Sequence, residues 1–90
     1  MEKKVNITVK GLVQGVGFRF FCKRKAIEYN LTGYVKNLFS GDVEIVIEGN
    51  SNLINDFLKD IKIGPLGAIV KSVLTEESDY QNEYSDFRIL

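Results

Sequence analysis

The hydrophobic period of this chain alternates between two and about 3.6 along its 90 residues, and that succession limits the fold more than any other feature. VNITV (5–9) alternates, with Val5, Ile7 and Val9 on one face and Asn6 and Thr8 on the other, as a half-buried strand does. From Arg19 to about Asn30 the pattern turns helical. Phe18, Cys22, Ala26 and Tyr29 recur at three- and four-residue steps, and Lys23, Arg24 and Lys25 fall mostly on the wet side. TGYVKNL (32–38) reads as a second strand and FSGD (39–42) as a turn. DVEIVIEG follows as a third strand, with Val43, Ile45 and Ile47 inward and Asp42, Glu44 and Glu48 outward. Asn50 or Ser51 caps a second helix, whose stripe is Leu53, Ile54, Phe57, Leu58 and Ile61 and whose end is Gly64–Pro65. AIVKSVL (68–74) gives a fourth strand, TEESDYQNE (75–83) a polar loop, and YSDFRIL a short last strand with Phe87 and Ile89 on one face.

The predicted class is therefore α+β: a ferredoxin-like βαββαβ sandwich in which one antiparallel sheet carries two helices on one face. Residues 1–90 form one domain with a single small core, without linker, repeat or low-complexity segment. This arrangement hosts many activities, so function has to be read from a site.

Composition removes most sites. The chain has no histidine and no tryptophan, and Cys22 is its one cysteine. A histidine general base, a Ser-His-Asp triad, a Cys-His dyad and a histidine-ligated zinc are excluded, as is an internal disulfide. A single thiol fits a reducing cytoplasm. MEKKVNITVK is too charged for a signal peptide, and no stretch is long enough to span a membrane. Net charge is zero but divided: residues 1–40 hold eight Lys/Arg and two Glu, a net of +6, and residues 41–90 carry −6. A local positive potential over the first half suits a small anion, whereas the acidic half would repel nucleic acid.

Within that basic half, QGVGFR (14–19) joins the first strand to the first helix. Gly15 and Gly17 allow successive backbone N–H groups to turn toward one point, forming an anion nest. The helix N-terminus adds unpaired N–H groups and its positive dipole end. Arg19 sets a planar guanidinium at the rim, able to bind two phosphate oxygens at once. The loop is neither a Walker A motif nor a dinucleotide fingerprint. Asn37 has the parity of Val35, so it faces the side from which the first helix leaves the sheet. Its amide either bonds local backbone or points into the anion site; spacing alone leaves both open. Cys22 reads as a small buried apolar residue, and Tyr29 and Tyr34 as aromatics at the core edge.

The stretch 11–19, GLVQGVGFR, resembles the first signature of the acylphosphatases, and 33–43, GYVKNLFSGDV, resembles the second. The resemblance runs from about Val5 to Leu90, with Tyr34 where the family often has Trp and Ser40 where it often has Asp or Asn. It implies a small, cytoplasmic, metal-independent enzyme that hydrolyses the carboxyl–phosphate bond of acyl phosphates without a cofactor. By position, Arg19 matches the phosphate-binding arginine and Asn37 the asparagine that orients the attacking water. Gln14, Gly15, Val16, Gly17 and Phe18 match the phosphate cradle. Expected partners are the acyl phosphate and inorganic phosphate or similar anions, with no nucleic acid or membrane, and a monomer is expected. Acyl-phosphate chemistry also suits a chain without histidine, because the carboxylate leaving group needs no strong general acid. An RNA-recognition module would need basic and aromatic side chains where the third strand offers Asp42, Glu44 and Glu48. A small-ligand regulatory domain using the same nest stays open.

Overall fold

The computed structural model describes residues 1–90. Seven elements follow in order: β1 (Glu2–Leu12), α1 (Phe18–Glu28), β2 (Thr32–Asn37), β3 (Val43–Asn50), α2 (Ser51–Ile63), β4 (Ile69–Asp79) and β5 (Phe87–Ile89). The sheet order is β4-β1-β3-β2-β5. The alternation in β1 and β3 does what it predicts: Val5, Ile7, Val9, Val43, Ile45 and Ile47 are all buried beneath the helices. From α1 the core receives Phe18, Phe21, Cys22 and Ala26, with Tyr29 packing at the edge. From α2 it receives Ile54, Phe57 and Ile61. The Asn50 side chain caps α2, accepting from the N–H groups of Asn52 and Leu53 at 2.9 and 3.2 Å.

Three expectations need correction. The polar run 75–83 is not all loop: β4 continues to Asp79, pairing with β1 as far as Asp79 opposite Lys3. Its side chains there are exposed, but the backbone of an edge strand gains its ladder bonds whatever the side chains are, and Lys3 pairs Glu77 at 2.5 Å. The sheet is mixed rather than wholly antiparallel, because β5 runs parallel to β2, with Phe87 opposite Gly33. The cause is topological. β4 is one edge strand and runs opposite to β2, so it stops at the end of the sheet where β2 begins; the segment after it crosses to the other edge and enters β5 in the direction of β2.

That crossing explains the third correction. Glu48 lies on the outward parity of β3 yet is only 1% exposed. The crossing segment covers it, and its carboxylate accepts from the N–H groups of Gln81 and Glu83, both at 2.8 Å. Lys4 pairs Glu83 at 2.6 Å, and the Tyr84 ring meets Tyr34 edge-on. Asp42 and Glu44 are half-buried rather than exposed. Glu48→Ala leaves two backbone donors without their charged acceptor and is expected to lower stability by about 2 kcal/mol, read from a urea unfolding midpoint. An unchanged midpoint would mean that water replaces the carboxylate at no cost.

Candidate active site

The C-terminal ends of β1 and β2 lie at the same end of the sheet, together with the N-terminus of α1. After β1 the chain turns through Gly15 at φ 76° and Gly17 at φ 75°, both left-handed. Gly17 occupies the N-cap of α1 and offers no side chain to its N–H groups, and the first helical turn has no acidic residue. The positive end of the helix is therefore uncompensated by protein. A Cβ added at Gly15 or Gly17 would meet no protein atom, so dihedral strain, not crowding, reserves these places for glycine.

A pocket of about 200 Å³ opens over this turn. Gly15, Gly17, Phe18, Arg19 and Asn37 line it, and Val13, Phe20 and Ile89 complete the wall. Its size suits a small ligand, below the range of drug-sized sites. Arg19 is partly exposed, and its guanidinium donates to the main-chain oxygen of Leu90 at 3.1 Å. That single bond leaves most of its donors free. Asn37 comes to the pocket from the last position of β2, on the core-side parity it shares with the fully buried Val35.

Not every residue of the 14–18 stretch reaches the pocket. Val16 turns away and packs against the core. The Gln14 side chain points to the neighbouring hairpin, where its amide donates to the carbonyls of Leu38 at 2.7 Å and Asp42 at 2.8 Å. It thereby ties the glycine loop to the hairpin that follows Asn37. Lys10 reinforces this corner by pairing Asp42 at 2.7 Å, which holds the Asp42 carboxyl below its usual range. Sequence reasoning gave no role to Phe20, Ile89 or the Gln14 side chain. Phe20 carried a signal, being an aromatic off the helical core stripe and adjacent to Arg19.

The remaining reactive groups are occupied elsewhere. Burial pushes the Cys22 thiol far up, as an inert core residue requires. Tyr29 donates to Asp60 at 2.6 Å, and that bond, with burial and the nearby carboxylates, raises its phenol to about 12. Tyr34 is likewise raised to about 12, first by burial and then by its bond to Glu44. Nowhere do three His, Cys, Asp or Glu side chains come together as a metal cage would need. No helix is long and apolar enough to cross a membrane.

Fold and pocket together define a ferredoxin-like α+β sandwich with a cationic, glycine-walled pocket at the N-terminus of its first helix. The family model for acylphosphatase matches residues 5–89. An acylphosphatase of Chlorobaculum tepidum is 42% identical over 89 residues, which is 99% of this chain and 97% of that protein. The crystal structure of acylphosphatase from Bacillus subtilis superposes with a TM-score of 0.95 at 37% identity, covering 100% of this chain and 99% of that one. An acylphosphatase structure from Coxiella burnetii gives a TM-score of 0.93 at 44% identity, covering 99% and 93%. The chain belongs to the acylphosphatase family, hydrolases acting on acyl phosphates.

Proposed function

We propose that the 14–18 loop and Arg19 hold the phosphoryl group of the acyl phosphate while Asn37 aims the attacking water at phosphorus. The observation that carries this reading is the convergence of Gly15, Gly17, Arg19 and Asn37 on one small pocket over an uncapped helix N-terminus. Main-chain N–H groups of the loop and first helical turn meet the phosphoryl oxygens, and the guanidinium takes two of them side by side. These donors gain strength as charge redistributes in the transition state. The water attacks in line with the carboxylate oxygen, the P–O bond to the acyl group breaks, and the carboxylate leaves with the bonding pair. A phosphoryl oxygen of the substrate takes the water's proton, so the products are carboxylate and inorganic phosphate.

Within the loop the duties divide. Gly15 and Gly17 set the backbone, Phe18 anchors the helix start in the core, and Val16 packs beneath the turn. Gln14 works through its side chain, holding the loop against the hairpin. The same reading takes residues 1–90 as one catalytic domain, monomeric and cytoplasmic, with neither metal nor cofactor in the reaction.

Arg19 is the one ionisable side chain on the pocket wall, and a guanidinium stays charged at every working pH. The pH dependence of kcat/KM for benzoyl phosphate, measured with a chelator present, is accordingly expected to follow the ionisation of the substrate alone. An additional inflection near neutrality that stays when the substrate is changed would assign a base to the enzyme and contradict the mechanism. Activity lost to the chelator would contradict its metal independence.

A further inference from the structure

Phe20 is 65% exposed and Ile89 39% exposed. Single apolar side chains on a surface are ordinary. These two arrive from different elements, α1 and β5, at the rim of the same small polar pocket. Phe20 follows Arg19 directly, so the helical turn that presents the guanidinium also sets the ring beside it. Phe18, Phe21 and Cys22 occupy the core side of that turn, and Phe20 has no core to join. Ile89 is placed by its register opposite Val35 in the strand that ends at Asn37.

The charge on the wall matters as much as the hydrocarbon. Arg19 is the one cation among the lining residues, and none of their side chains is acidic or a lysine. With a phosphoryl group on Arg19, an acyl substituent that reaches the rim meets an aromatic ring and a branched alkyl chain. A second carboxylate on that substituent would give up water for apolar contact and find no free cation.

We infer that Phe20 and Ile89 form the acyl subsite, and that the enzyme selects acyl phosphates with an uncharged, apolar acyl group over dicarboxylic ones. The inference rests on the hydrolytic reading of the same pocket. Phe20 is its specificity-determining residue.

The test is kcat/KM for benzoyl, acetyl and succinyl phosphates with wild type, Phe20→Ser and Phe20→Lys. Wild type is expected to favour benzoyl over succinyl phosphate by about ten-fold or more. Phe20→Ser should lower the benzoyl-to-acetyl ratio by about ten-fold. Phe20→Lys should move the preference toward succinyl phosphate, since it supplies the missing cation. Equal losses on all three substrates, with ratios unchanged, would overturn the inference, because Phe20 would then act on the shared phosphoryl step or on the fold. Equal wild-type kcat/KM for all three would also overturn it while leaving hydrolysis intact. A wild type that turns over none of them would remove the hydrolytic reading and the inference with it.

Discussion

Arg19→Ala is expected to lower kcat/KM for benzoyl phosphate by about 10³-fold or more, the scale on which a transition-state arginine acts in phosphoryl transfer. The pocket wall contains no second cation to take its place. Part of the loss should appear in KM, because the guanidinium grips the phosphoryl group in the ground state too. The larger part should appear in kcat, because charge moves onto the phosphoryl oxygens as the acyl oxygen departs. Arg19→Lys should recover little, since an ammonium cannot present two parallel N–H groups to two oxygens. The fold should tolerate either change: Arg19 is partly exposed, and its one protein partner is the Leu90 main-chain oxygen. A urea midpoint close to wild type would separate lost chemistry from lost structure.

Asn37→Ala should behave differently. Without the amide, the attacking water loses its position rather than the phosphate its grip. The expected effect is a fall of about 10²- to 10³-fold in kcat with KM nearly unchanged. Asn37→Asp keeps the shape but sets an anion facing the phosphoryl group, so it should raise KM as well as lower kcat. Asn37 is half-buried at the end of β2, so a urea midpoint close to wild type would separate a lost water position from a lost fold. A variant that raised KM while sparing kcat would make Asn37 a binding residue and not a water-positioning one.

Where one face of an element is buried and the other wet, the sequence pattern was enough to place it. β1, the inward face of β3 and α2 with its Asn50 cap follow from alternation, helical spacing and one capping residue. The loop, Arg19 and Asn37 were legible for a related reason: glycines before a helix, a charge at its first turn and a polar residue at a core-side parity each break the local rule. What stayed hidden depends on contacts remote in sequence. The outward parity of Glu48 implies water, and only the return of residues 80–84 across the sheet buries it. The polar side chains of 75–79 suggested loop, because backbone pairing with β1 leaves no mark in side-chain hydropathy. The bonds of Gln14 to Leu38 and Asp42 span more than twenty residues. Phe20 is an aromatic off the core stripe of α1, which the sequence does show, but only the fold brings Ile89 from β5 to the same pocket.

The central claim divides the site between a phosphate grip and a water-positioning amide. Its most direct test is the affinity for inorganic phosphate, measured by titration calorimetry on wild type, Arg19→Ala and Asn37→Ala. The expected result is that Arg19→Ala weakens binding by about ten-fold or more while Asn37→Ala binds close to wild type and is nearly inactive. Phosphate bound equally well by Arg19→Ala, or lost in Asn37→Ala, would contradict that division.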